Sequence, residues 1–197
     1  MSFLLGLTGS IGMGKSTTTT MFAAEGCDVW DADAAVHRMY AKGGAAVAPI
    51  AAALPNAIVD GAVSRDRLKA MIAQDPAVLK QIEAIVHPLV ANDRATFIQN
   101  ATADIVVLDI PLLFETGGNV AMDAVACVTV SPEIQKSRVL ARGTMSADQF
   151  HAILDKQMPN DEKCARSDFI IVTDTLDHAR AQVKDIVVQI RERLAHA

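Results

Sequence analysis

Residues 9–16 read Gly9, Ser10, Ile11, Gly12, Met13, Gly14, Lys15, Ser16 and fit the spacing G-x-x-x-x-G-K-[ST]. Few folds accommodate that spacing. An apolar run at 3–8 precedes it, and a helical stretch at 15–25 follows. Strand, glycine-rich turn and helix N-terminus together make an anion site. The glycines let backbone N–H groups converge, and the helix dipole adds positive potential. Lys15 is placed to reach the β- and γ-phosphates of a nucleoside triphosphate such as ATP. The Ser16 hydroxyl is placed to hold Mg2+.

The rest of the chain alternates strands with helices, which predicts an α/β fold built on a central parallel sheet. The predicted strands are 3–8, 28–30, 104–109, 125–130 and 169–172. Helices are expected at 31–40, 132–142, 146–157 and 175–194. The architecture expected is a three-layer sandwich of the P-loop NTPase type. Two segments interrupt its rhythm. Residues of about 41–100 hold several helices, broken near Pro49, Pro55 and Pro76, without a convincing strand. Residues of about 135–166 concentrate charge on two helices joined at Gly143-Thr144. Such insertions sit over the carboxyl ends of the strands, where ligands bind. The expected plan is therefore one domain: a nucleotide-binding core at about 1–40 and 101–197, a substrate-binding insertion, and a helical lid.

Bulk properties narrow the function classes. At 197 residues and 51% apolar composition the chain can bury a real core. A net charge of −5 argues against a general electrostatic grip on nucleic acid, so any polyanion must be held by a local basic cluster. Cys27, Cys127 and Cys164 lie far apart and outside C-x-x-C spacing, which fits a reducing cytoplasm better than a disulfide or zinc framework. A membrane partner is not expected, since no apolar stretch is long enough to span a bilayer. A cleaved leader is not expected either, because cleavage would destroy the loop at position 9.

A switch GTPase should carry D-x-x-G after a strand and N/T-K-x-D near the base site. Neither stands in suitable context: Asp109 is followed by Ile110-Pro111-Leu112. A small kinase fits the short chain best. It needs an acceptor-positioning carboxylate and cations to neutralise the transferring group. Asp31-Ala32-Asp33, at the end of the second strand, supplies the first. One of these aspartates can serve instead as the cap of the next helix. Arg138 and Arg142, four apart on one helix face, supply the cations, unless that face is simply solvated. Arg65 follows a turn in the first insertion and could pair with a substrate phosphate. His87-Pro88 is read either as a helix kink or as a polar wall to the acceptor pocket. Asp109 is placed to support the magnesium shell through water.

Together these residues resemble the dephospho-CoA kinase family. The matching pieces are residues 6–17, then Asp31-Ala32-Asp33, Asp60-Gly61 with Ser64-Arg65, and Ile85-Val86-His87-Pro88-Leu89. They continue with Asp109 through Glu115, Arg138, Arg142, Gln157 and Lys163. The resemblance implies a transferase that moves the ATP γ-phosphoryl group to the ribose 3′-hydroxyl of dephospho-CoA. Asp33 would then activate the acceptor. Thr8, residues 9–16 and Thr17 would line the phosphate site with Lys15, and Arg138 and Arg142 would come from the lid. Residues 41–100 would form the CoA-binding insertion, and Pro111, Leu112, Leu113, Phe114 and Glu115 would shape the acceptor pocket. The chain departs from the family pattern at Met13, at Gly143, and at Val172-Thr173-Asp174-Thr175, where an Asn-x-Gly-like turn is usual. Another P-loop small-molecule kinase, or a nucleotide-dependent binding module, remains as an alternative.

Overall fold

The computed structural model of the chain describes residues 2–196. These form two compact units: the chain up to residue 30 together with everything from 101 onward, and residues 31–100. The helix 32–40, read from sequence as part of the core, therefore groups with the second unit.

The first unit is built on a five-stranded sheet with strands β1 (Phe3–Thr8), β2 (Asp28–Asp31), β5 (Ile105–Asp109), β6 (Ala124–Thr129) and β7 (Phe169–Val172), in the order β2-β5-β1-β6-β7. Two short intervening strands, β3 (Ile58–Val59) and β4 (Ala62–Val63), belong to the second unit. β1 runs parallel to both β5 and β6, and β7 runs parallel to β6. Leu7 lies beside Asp109 and Thr8 beside Cys127, so the carboxyl ends of β1, β5 and β6 finish together. All five residues of β5 are buried, as a strand covered on both faces requires. Helices α1 (Lys15–Ala24) and α9 (Leu176–Ala195) flank the sheet. Met21 and Phe22 of α1, with Val183, Ile186, Val187 and Ile190 of α9, join Leu5, Leu7, Ile105 and Val107 in one apolar cluster. The apolar stripe of α9 falls where its 3.6-residue period puts it.

After β1 the chain goes first to strands on one side of it and later to strands on the other. The loop leaving β1 thus sits where the strand order reverses, the usual ligand position in an open α/β sheet.

Between β6 and β7 lie three helices, α6 (Pro132–Ala141), α7 (Ala147–Leu154) and α8 (Asn160–Ala165), where the sequence reading had two. Ser131 caps α6 ahead of an N1 proline, and Ser146 with Gln149 forms a capping box on α7. The extra helix arises because Pro159 stops the preceding turn and restarts the chain.

The second unit contains α2 (Ala32–Tyr40), α3 (Val47–Ala53), α4 (Arg65–Gln74) and α5 (Ala77–Asn100), with a short 3₁₀ turn at Pro55–Ala57. It also contains a hairpin that the sequence reading lacked: β3 (Ile58–Val59) pairs antiparallel with β4 (Ala62–Val63). Its two-residue loop, Asp60-Gly61, has positive φ at both positions (50° and 81°), as the tight primed turns demand. The expected break near Pro49 falls just ahead of it, at 41–46, between α2 and α3. Pro49 sits in the first turn of α3, where its missing N–H has no helical partner to lose. Pro88 lies inside the continuous 24-residue α5 rather than ending it. Among the described residues no helix is long and apolar enough to cross a membrane.

Candidate functional site

The conformation of the loop 9–16 is set by close packing at its glycines and by hydrogen bonds to its backbone. Gly14 is the N-cap of α1 with φ 95°, and a Cβ there would come within 3.0 Å of the Thr173 hydroxyl. Gly12 has φ 79°, and its Cβ would lie 2.5 Å from a Val139 methyl on α6. Both positions need glycine for conformation and for space. The Met13 side chain turns inward and joins the core cluster, leaving its backbone facing the loop. Its carbonyl accepts the Thr173 hydroxyl at 2.7 Å.

The loop's N–H groups divide into two sets. Ser10 N–H donates to Asn160 Oδ1 at 2.9 Å and Ile11 N–H to Gln157 Oε1 at 3.3 Å, while Met13 N–H closes a turn on the Ser10 carbonyl at 3.2 Å. The N–H groups of Gly12, Gly14, Lys15, Ser16 and Thr17 have no acceptor among the described residues. Those of the first turn of α1 point along the positive end of its dipole. Such a fan is an anion cradle.

The Lys15 ammonium pairs with Asp109 Oδ1, and the Thr19 hydroxyl donates to Asp109 Oδ2 at 2.7 Å. Asp109 is 1% exposed at the carboxyl end of β5, next to β1. The Ser16 hydroxyl, exposed at the start of α1, has no partner among the described residues. One hydroxyl and one carboxylate are hard oxygen donors of the kind Mg2+ takes, leaving its other positions to water and phosphate.

Beside the loop opens a cavity of about 220 Å³, lined by Gly14, Thr17, Met21, Arg138, Arg142 and Leu176, among others. Arg138 is fixed there: its guanidinium donates to the Thr173 carbonyl at 2.6 Å and to the Thr173 hydroxyl at 3.1 Å. Arg142 lies one turn on, at the end of α6, and is exposed. The structure thus brings together the loop, Thr17, Arg138 and Arg142.

Thr8 is fully buried, and its hydroxyl donates to the Pro111 carbonyl at 3.1 Å. The segment following β5 departs from what the resemblance implies. Leu113 and Phe114 pack with Val125 into an apolar cluster, so their side chains are not a ligand wall; adjacent apolar residues there fill the space under the sheet. Leu112 alone turns outward, at 42% exposure. Glu115 is occupied by protein. It accepts the Met158 N–H at 2.9 Å and the ammonium of Lys163 at 2.8 Å. Lys163 is wholly buried and also donates to the Pro111 carbonyl at 2.8 Å. Burial pushes the Glu115 carboxyl up, but the Lys163 hydrogen bond, with backbone N–H groups, outweighs it and holds the group below its ordinary 4.5.

In the second unit, Asp31 caps α2, accepting the Ala34 N–H at 2.8 Å. That frees Asp33, in the first turn of α2, from capping. Its exposed carboxylate has no hydrogen bond or ion pair among the described residues. Arg65 stands at the start of α4 with its guanidinium 5.8 Å from the Tyr40 ring, and His87 is exposed in mid-α5.

Gln157, Asn160 and Gln135, whose amide donates to the Ile11 carbonyl at 2.7 Å, carry the loop but had no role in the sequence reading. They sit 124–150 residues away from it, and although Gln157 is among the pieces that match the family, a lone amide gives no local sign of what it will bond.

Comparison with known proteins matches these features. The sequence profile of the dephospho-CoA kinase family fits residues 3–178. A dephospho-CoA kinase of Ruegeria pomeroyi is 72% identical over the full length of both chains. One from a Jannaschia species is 60% identical, covering 98% of this chain and 99% of its own. A crystal structure from Thermus thermophilus superposes with a TM-score of 0.85 at 30% identity, covering 95% of this chain and 97% of its own. The phosphate-type loop, the sheet that presents it and the arginines beside it therefore belong to a known lineage: this chain is a member of the dephospho-CoA kinase family.

Proposed function

We propose that this chain transfers the γ-phosphoryl group of ATP to the 3′-hydroxyl of dephospho-CoA, giving coenzyme A and ADP, the final step of coenzyme A synthesis. The observation that carries the reading is the N–H fan of Gly12, Gly14, Lys15, Ser16 and Thr17 at the N-terminus of α1, beside a cavity walled by Arg138 and Arg142. The fan and Lys15 would hold the β- and γ-phosphates. Arg142, exposed at the end of α6 and without an ion pair among the described residues, would add positive charge where it develops on the transferring group. Arg138, fixed on Thr173, would line the nucleotide's side of that cavity.

Mg2+ fits the Ser16 hydroxyl with Asp109 behind it, and when bound it would neutralise phosphate charge. Asp33 would accept the proton of the acceptor hydroxyl. Its lack of a partner among the described residues supports that role, since a carboxylate already committed to a cap or ion pair makes a poor base. By the family resemblance, Arg65 and His87 would contact the acceptor. All three cysteines are free thiols, which fits a cytoplasmic setting.

Incubation with ATP, Mg2+ and a panel of acceptors, following ADP release, tests the reading. Turnover on dephospho-CoA should exceed that on nucleosides or shikimate-like alcohols by orders of magnitude. Silence on dephospho-CoA would overturn it.

A further inference from the structure

The triphosphate cradle is made by the loop's backbone, yet part of that backbone is set from the far end of the chain. The loop's first two non-glycine N–H groups, Ser10 and Ile11, do not join the fan; Asn160 and Gln157 consume them. Ser10 is 4% exposed, so its N–H needs a partner inside the protein. The Asn160 amide works in both directions, accepting from Ser10 and donating to the Val128 carbonyl of β6 at 3.2 Å. Gln135 completes the hold by donating to the Ile11 carbonyl. The peptides on either side of Ile11 are therefore fixed in rotation. The next peptides, whose N–H groups make up the fan, begin from a defined orientation.

The segment that carries Gln157 and Asn160 is itself pinned. Glu115 takes the Met158 N–H and the Lys163 ammonium, and Lys163 also holds the Pro111 carbonyl, which receives the Thr8 hydroxyl at the loop's entrance. The route returns to the residue where the loop begins.

We propose that Gln157 and Asn160 are positioning residues for ATP: they preorganise the phosphate loop by occupying its Ser10 and Ile11 N–H groups, and the Lys163–Glu115 pair holds them in place. The proposal rests on the reading of residues 9–16 as the ATP triphosphate cradle. A preformed cradle does not pay for ordering when the ligand arrives, so loosening it should appear as lost ATP affinity.

Gln157→Met and Asn160→Ala in the full-length protein test this. Each should raise the Kd for a non-hydrolysable ATP analogue and the KM for ATP by about 5- to 30-fold, the range expected for one lost buried hydrogen bond. The KM for dephospho-CoA should stay within twofold. Amide exchange at Ser10 should quicken in Asn160→Ala while amides of β5 keep wild-type protection. Gln157 is part-exposed, so Gln157→Met should fold even where Asn160→Ala does not, and it then decides alone. ATP-analogue affinity within twofold of wild type in a folded variant overturns the proposal. So does an equal rise in both KM values, which marks general loosening. Wild-type protein that neither binds the analogue nor turns over dephospho-CoA overturns the underlying functional reading instead.

Discussion

Asp33 and Asp31 differ by two positions and by everything that matters chemically. Asp31 is held by the Ala34 N–H, whereas Asp33 is exposed without a partner among the described residues. Asp33→Asn should lower kcat by roughly 10²–10⁴ with ATP affinity little changed, the usual worth of a positioned proton acceptor; a fall below tenfold in steady-state assays would remove it from that role. Lys15→Ala should lower kcat/KM by about 10²–10³ through lost charge stabilisation. The variant also leaves the buried Asp109 carboxylate with the Thr19 hydroxyl but without its ammonium, so a loss of stability should accompany the loss of rate, which is read on folded protein. Glu115 belongs to a different class. Glu115→Ala strands the buried Lys163 ammonium and should cost about 3–5 kcal/mol in denaturant unfolding. A loss under 1 kcal/mol would show that Lys163 finds another partner. The sequence marked Glu115 by resemblance, but only the fold reveals that its oxygen faces Lys163, 48 positions away, rather than a ligand.

At the scale of elements, local signals and tertiary outcome agree wherever the governing interaction is local. Ser131-Pro132, Ser146 and the stripe of α9 are all read from neighbours within a turn or two. The Asp60-Gly61 hairpin was equally legible, since that dipeptide is a strong hairpin turn, but strands of two residues fall below any periodicity window. Pro88 shows the opposite case. A proline normally ends a helix, yet α5 runs through it, anchored by the buried Val78, Ile82 and Val86 of the turns before it. Val86 and Ile82 are buried on that helix, while Pro88 itself is exposed. Pro88→Ala should therefore stabilise the protein by about 1–3 kcal/mol, measured by urea unfolding. A destabilised variant would mean that the bend at Pro88 is required for packing of α5.

For the whole molecule, charge and burial set a pH window. Arg191 hydrogen-bonds Asp104 and outweighs burial, holding its carboxyl below the ordinary 3.8, while Glu115 lies below 4.5. Groups depressed in the folded state contribute stability above their unfolded values and lose it as pH falls through the folded ones. Burial pushes the Cys27 thiol up from 9.0 to about 11, against the pull of Arg191, and pushes Cys127 higher still. Stability tied to those thiols is complete below pH 9.0 and falls as pH rises through their folded values. Thermal melts should thus be flat between about pH 5 and 9 and decline on both sides. A melting temperature that climbs steadily beyond pH 9 would contradict buried, neutral thiols.

The sequence by itself determined the sheet, the phosphate-type loop and the lineage. Each rests on short-range patterns: a strand running into a glycine turn, a helix cap, an apolar run. Only the tertiary structure decided that Leu113 and Phe114 are core, that Glu115 serves Lys163, and that Gln157 and Asn160 hold the loop from about 150 residues away. Those assignments depend on which polar groups folding seals from water and must then pair. No local pattern encodes that demand.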